Sequence, residues 1–283
     1  MSDPSSSNGG APQNRLRLGG MALRNGLLIH GPSSWAVAAR RPDGEIEVAS
    51  GFKPRLVRGR LGELPLVRGP LRLVEALAVV PLSRLRLRSA RLPFEDPAVV
   101  GATAVSLLAS GTLRRRPPAR RSAFATGIAE ATVTLLGTLP AVAALRDSDL
   151  AAYHAVEHKA IGGYEQGVDP ADVPKEHPRC GSNLIGPLAV LSIAAQLLVE
   201  RLIERPGPIA RGAGTLLAAG AAVELFVYAE RHPDSAVARA VHGPGHEIQR
   251  RFSTREPTPE QLEVGVAALD AVLLAEDAAA DTV

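Results

Sequence analysis

The sequence predicts a mainly α-helical protein with a small β element near its N-terminal end and an amphipathic helix at its C-terminal end. Three observations carry this expectation. From residue 66 onward, runs rich in Ala, Leu and Val alternate with short polar connections. Between Gly19 and Pro54 the pattern changes to short apolar runs closed by Gly-Pro and Asp-Gly, which are strand and turn signals. Near the end, Thr258-Pro259-Glu260-Gln261 reads as a helix start, with Thr258 as N-cap, Pro259 in the first position and Gln261 closing a capping box.

Composition narrows the function classes. The formal net charge is only +3, so the chain is not a strongly basic nucleic-acid binder overall. Aromatic content of 3% also leaves few rings on which bases could stack, and no nucleic-acid partner is expected. The single cysteine, Cys180, has no disulfide partner within the chain and fits a reducing compartment or a membrane setting.

Taken in order, residues 1–18 read as a disordered tail, because Met1 to Asn14 is rich in Ser, Gly, Pro and Asn and has no apolar run. Residues 19–65 form the β element. Leu27-Leu28-Ile29 is closed by Gly31-Pro32, and Trp35 to Ala38 and Glu45 to Val48 flank Asp43-Gly44 as a β-hairpin. Residues 66–145 read as amphipathic and membrane-type helices. Leu66 to Leu82, followed by Arg84, Arg86, Arg88 and Arg91, suits either a membrane-surface helix on anionic headgroups or an ordinary amphipathic helix with a solvated basic end.

Four apolar segments follow: Ala98 to Leu113, Ser122 to Leu145, and, within a region 184–231, Leu184 to Val199 and Gly212 to Ala229. Each falls short of about eighteen apolar residues or carries a polar one, namely Glu130, Gln196 or Glu224. Length and periodicity leave a membrane bundle and a buried soluble bundle both open. In a bilayer, Glu130 and Glu224 become functional candidates, because an ionisable group at that depth is costly and has a partner. Arg84 to Arg91 and Arg114 to Arg121 bracket Ala98 to Leu113 on both sides, so the positive-inside rule does not orient it. In the final region, 232–283, His242-Gly243-Pro244-Gly245-His246 reads as a loop. Leu262, Val266, Leu269 and Leu273 make one apolar face of the last helix, and Ala278 to Val283 is expected to fray.

The chemistry concentrates in residues 146–183. Asp147, Ser148 and Asp149 offer N-caps to a helix that Gly162-Gly163 is expected to stop. On that helix His154, Glu157 and His158 share one face, with the imidazoles one turn apart. His-x-x-Glu-His is the inverted zinc-protease motif, in which the carboxylate takes a proton from a water that the ion activates. The bland alternative is an exposed helix that happens to carry these residues. Pro170, Pro174 and Pro178 stiffen the connection to His177 and Cys180, which can fold back and complete a tetrahedral site. Imidazole with thiolate suits zinc or iron better than magnesium. Alternatively His177 bonds a loop carbonyl, and Cys180 is a small buried hydrophobe or a His-activated nucleophile.

Several stretches together resemble one family. Gly19-Gly20 through Gly26, Gly31-Pro32, Trp35 to Ala38, Arg41-Pro42-Asp43-Gly44, Tyr153-His154, Glu157-His158-Lys159, His177-Pro178-Arg179-Cys180-Gly181 and Thr254-Arg255-Glu256-Pro257 are similar to ordered blocks of the YqhQ-like bacterial family of unknown function. That family usually has Gln, Glu and Arg where this chain has Met21, Asn25 and His30, and Gly where Ala155 stands. The resemblance implies a multi-pass helical protein of the cell membrane and a predicted metal-dependent enzyme. The expectation is then a metal site at the membrane–cytosol boundary, on the cytoplasmic side, with the lipid bilayer as partner. His154 and His158 are its first ligands, His177, Cys180 or Glu224 complete the shell, zinc is the ion, and Glu157 is the general base of a hydrolase. A non-catalytic membrane scaffold or assembly factor with a structural metal or a polar cluster is the alternative.

Overall fold

A computed structural model of the chain describes residues 15–54, 64, 66, 68–115, 122–146, 148–204 and 206–281. The expected tail from Met1 to Asn14, the cap Asp147 and most of the Arg114 to Arg121 cluster lie outside the described residues.

The β element is larger than a hairpin. Four strands, β1 (Gly19–Leu23), β2 (Gly26–His30), β3 (Ser34–Arg40) and β4 (Ile46–Phe52), form an antiparallel sheet in chain order. Asp43-Gly44 does close β3 to β4, with Gly44 at φ 93°, where an L side chain is strained. The extra strands arise from two-residue turns at Arg24-Asn25 and Pro32-Ser33, short signals that are hard to separate from loop. Leu27 to Ile29 of β2 and Trp35 to Ala39 of β3 are apolar without alternation because the sheet is buried on both faces. Leu27, Ile29, Ala36 and Ala38 pack against the helices that carry the site, and Leu28, Trp35 and Val37 pack under α1 (Arg68–Arg86) through Val79 and Val80.

Helices α2 (Pro97–Arg115), α3 (Ala123–Leu136) and α4 (Leu139–Ala144) follow. The expected Ser122 to Leu145 helix is thus broken at Gly137-Thr138, just ahead of Pro140. After α5 (Ser148–Gln166) come α6 (Ile185–Leu202) and α7 (Pro208–Arg231). Three helical stretches, Phe124–Ala144, Gly181–Leu202 and Pro208–Arg231, are long and apolar enough to cross a membrane. They meet through small residues. A side chain at Gly127 would press on Ile193, and one at Gly214 on Val199, so the backbones can approach closely. Glu130 pairs with Arg114 at 3.0 Å, and Glu224 accepts the N–H of Leu66 at 3.3 Å.

Two expectations about helix ends and loops need correcting. Gly162-Gly163 does not end α5, which runs on to Gln166 and closes at Gly167 (φ 74°). Both glycines are there for packing: a Cβ at Gly162 would lie 2.8 Å from Val173, and one at Gly163 would lie 3.0 Å from the Val168 carbonyl oxygen. His242 to His246 is not a loop but part of α8 (Ala236–Ile248), capped by Ser235. Tertiary contact overrides the Gly-Pro-Gly signal, because Asn183 occupies the space where a Gly245 side chain would be. Pro244 costs α8 one hydrogen bond, and the helix relaxes into a π-helical turn at Gln249–Ser253.

The last helix, α9 (Pro259–Ala280), has the expected capping box. Thr258 accepts from the Gln261 N–H at 3.3 Å, and the Gln261 side chain accepts from the Thr258 N–H at 3.0 Å. Of the expected apolar face, Leu269 is buried and Leu262 and Leu273 pack half-buried against the core, whereas Val266 is exposed; Val264, Gly265, Ala268 and Val272 complete the inward side. Gly265 lets Val156 of α5 close on the backbone. The fraying expected from Ala278 does not begin there, since Ala279 is helical and buried. One oxygen of the Glu276 carboxylate, also buried, accepts the N–H groups of Ser33 and Ser34 at 2.8 and 2.6 Å and ties α9 to the β2–β3 turn. Glu276→Ala strands both donors and is expected to cost about 2–3 kcal/mol in thermal or denaturant unfolding.

Candidate metal centre

α5 carries the site, and it is buried almost all round, from Leu150 to Gly163. α9 lies against it through Gly265, and the segment from Gly167 to Cys180 folds back over it. Of its polar side chains His158 and Lys159 are buried and must find partners in the protein, whereas His154 and Glu157 are partly exposed.

The two imidazoles find partners in the same way. His154 Nδ1 lies 2.8 Å from the backbone carbonyl of Ser253, and His158 Nδ1 lies 2.6 Å from that of Lys175. A carbonyl oxygen only accepts, so both Nδ1 atoms carry the proton and both Nε2 atoms keep a free lone pair. His154 Nε2 is 3.4 Å from Cys180 Sγ, and the ring centroids of His154 and His158 are 4.5 Å apart. One ligand atom from each of His154, His158 and Cys180 falls within 4.8 Å of the other two. A tetrahedral ion bound at about 2.0 Å to nitrogen and 2.3 Å to sulfur separates such atoms by about 3.5 Å. The three atoms are thus close enough together for a metal ion to be held among them. The imidazole-to-carbonyl bonds fix the orientation of both rings.

Both carbonyls belong to one braced unit. The Ser253 carbonyl sits at the end of the π-helical turn, where helix carbonyls have no partner of their own. Lys175 Nζ donates to the carbonyls of Arg250 and Thr254 at 3.0 and 3.1 Å, which ties the loop to that turn. Gln249, fully buried, accepts the His177 N–H at 2.7 Å and donates to Ser182 at 3.0 Å. Burial pushes His158 below the usual 6.5 and favours the neutral, ligating form.

Glu157 borders the group on the side of β1. The Gly20 N–H faces its carboxylate, and a Cβ at Gly20 would stand 2.9 Å from Glu157 Cγ. Burial raises this carboxyl above the ordinary value of 4.5, against the opposing pull of His154, His177 and the Gly20 N–H.

The remaining sequence candidates are placed elsewhere. His177 stacks 5.6 Å from His158, but its Nδ1 accepts the Arg179 N–H at 3.2 Å and its Nε2 meets Glu165 at 3.4 Å. Both ring nitrogens are thus engaged, and no lone pair faces the cluster. Glu165 also pairs with Arg179. Burial works to raise its carboxyl, but His177 and Arg179 outweigh that and hold it below 4.5. Glu224 lies on α7 beside Leu66, outside the group of three ligands. Sequence reasoning missed Gln249, Ser253 and Lys175, which act through buried amides and backbone atoms and have no residue-type signature.

The profile of a family described as "Protein of unknown function (DUF1385)" matches residues 64–275. The chain belongs to that family. The DUF1385 match includes His154, Glu157, His158, His177, Cys180 and Glu224, whereas β1 to β4 precede it. The first block of the resemblance described above, with Gly20 that contacts Glu157, therefore falls outside the matched region. No curated protein and no solved structure matches the chain.

Proposed function

We propose that this DUF1385 member is a multi-pass membrane protein in which His154, His158 and Cys180 hold a divalent ion, zinc by the chemistry of the donors, for a hydrolytic reaction. This reading also takes up the metal-dependent enzyme implied by the YqhQ-like resemblance. Its main support is that both Nδ1–H groups are spent on backbone carbonyls while both Nε2 atoms and Sγ face one another. A bound zinc ion would supply Lewis acidity to a water or a carbonyl oxygen. Three ligands leave a fourth position open, as catalysis requires and a structural site does not.

Glu157 is the general base. Its burial favours uptake of a proton, and the Gly20 N–H orients the carboxylate. The Cys180 loop leads directly into α6, and Glu230, near the end of α7, meets Arg179 at 3.7 Å. The site therefore belongs at one membrane boundary, on the cytoplasmic side, where a lone thiol stays reduced. A Cys180 nucleophile is a second reading, supported by its 3.4 Å contact with His154. That chemistry needs one imidazole, however, and gives no reason for His158 to have the same tautomer and orientation.

The test is metal analysis of purified full-length protein. Wild type is expected to carry about one zinc per chain, and His158→Ala and Cys180→Ser only a small fraction of that under the same dialysis. Equal and sub-stoichiometric zinc in all three removes the metal reading.

A further inference from the structure

The packing of the chain's two ends limits how it can cross a membrane. The sheet precedes the apolar helices and α9 follows them, yet the two are bonded together. Ser34 Oγ donates to the Ala275 carbonyl at 3.0 Å, Arg40 meets Glu263 at 2.8 Å, and Glu276 holds the β2–β3 turn. α5, midway along the chain, shares the same core, with Tyr153 and Val156 beside Leu27 and Ile29. Sheet, α5 and α9 therefore lie on one side of any bilayer, and the number of crossings between each and the next is even. From α5 to α9 the pair is Gly181–Leu202 and Pro208–Arg231. From the sheet to α5 there is Phe124–Ala144 alone, and it needs a companion.

α2 lies where that companion has to be. Its start is held at the sheet, where the Arg24 N–H donates to the Arg91 carbonyl at 3.0 Å and the Arg24 side chain meets Asp96 at 3.4 Å. From there it runs antiparallel to α3. Ser106 Oγ donates to the Leu136 carbonyl at 2.8 Å, and further along Arg114 pairs with Glu130. α2 thus shares the depth of the apolar stretch beside it. No charged residue lies between Asp96 and Arg114. Its 19 residues rise about 28 Å, close to the hydrocarbon thickness of about 30 Å. Only Val99 and Ser106 of α2 are buried, whereas Val100, Val105, Leu107 and Leu108 are 55%, 58%, 68% and 71% exposed. That apolar surface is costly in water and favourable in lipid. Thr103 and Thr112 turn their hydroxyls back to the carbonyls of Val99 and Ala109, both at 2.8 Å, as a helix in hydrocarbon requires.

We propose that α2 crosses the membrane together with Phe124–Ala144 and that lipid acyl chains cover its outward face. With the three stretches above it makes four crossings in two antiparallel hairpins, which leave the sheet, the metal centre and α9 on one side. The proposal deepens the membrane reading given above and rests on it. It also gives Glu130 its place, since α2 brings Arg114 to a carboxylate that would otherwise stand unpaired at bilayer depth.

The experiment adds single cysteines to the full-length protein and labels them with a polyethylene glycol maleimide that does not pass a bilayer, in intact cells and after permeabilisation. The readout is one mass step beyond wild type, whose only thiol is Cys180. Arg115→Cys reports the end of α2, and Glu204→Cys the connection from α6 to α7. Glu45→Cys, Asp172→Cys and Asp270→Cys report the β3–β4 turn, the segment after α5, and α9; all five positions are exposed. The Arg115 and Glu204 variants are expected to gain their step in intact cells, and the other three only after permeabilisation. If Arg115→Cys behaves like Glu45→Cys while Glu204→Cys stands apart, the α2 crossing is overturned and α6 and α7 remain in the membrane. If all five behave alike, the membrane reading itself fails, so the two failures are distinct. Should Arg115→Cys fail to accumulate, Ser122→Cys reports the same connection from its other end.

Discussion

Glu157→Gln is expected to keep the wild-type zinc content and to lose about 10²–10⁴-fold of hydrolytic rate, the usual contribution of a positioned general base. Glutamine has nearly the same shape and still accepts the Gly20 N–H, so the site should stay assembled while proton uptake is lost. Turnover of a peptide, an ester and a phosphodiester probe by zinc-loaded protein gives the measurement. A rate within about twofold of wild type on every hydrolysed probe removes Glu157 from the chemistry. The same substitution carries a stability signature. Without metal, burial holds the folded carboxyl above 4.5, so the folded chain binds this proton more tightly than the unfolded chain does. Stability is then lost as pH rises from 4.5 through the raised value, because the buried group is forced to ionise. Metal-free Glu157→Gln should accordingly melt above metal-free wild type at about pH 7.5, with the gap closing as the pH falls to the ordinary carboxylate range.

The sequence disclosed those parts of the site that depend on residue type and local spacing. His154 and His158 lie one turn apart on a helix, Cys180 returns to them on a proline-braced segment, and the Thr258–Gln261 cap starts α9 where expected. What stayed hidden depends on close approach and on backbone atoms. Gly162-Gly163 reads as a helix end unless one knows that Val173 and the Val168 carbonyl crowd that face of α5. Gly-Pro-Gly in α8 reads as a loop unless Asn183 is known to lie against Gly245. The Nδ1 lone pair of His177 accepts the Arg179 N–H and its Nε2 side is turned to Glu165, and no spacing rule distinguishes it from a ligand. Nor does any motif announce that the carbonyls of Ser253 and Lys175 select the tautomers of the two imidazoles.

Lys159→Met is expected to weaken the site and the fold together. The Lys159 side chain is 4% exposed, and its ammonium donates to the carbonyls of Ala171 and Val173 at 3.2 and 2.7 Å and meets Glu256 at 2.8 Å. The ion pair counts for little, since Glu256 is 67% exposed and screened by solvent. The carbonyls decide the effect. Ala171 is exposed and its oxygen can be rehydrated, whereas Val173 is buried, and stranding its oxygen costs about 1–3 kcal/mol. Methionine keeps the aliphatic packing, so the loss reports the hydrogen bonds rather than a cavity. Val173 lies on the same stiffened segment as the Lys175 carbonyl, which orients His158, and Cys180, so releasing it moves a ligand and an orienting group at once. A drop in zinc affinity of about 10–100-fold should therefore accompany the lower melting temperature, as for loss of other ligand-orienting contacts. Zinc titration and thermal melting of the same preparation check both effects. A lower melting temperature with unchanged zinc affinity would mean that Lys159 supports the fold without positioning the ligands.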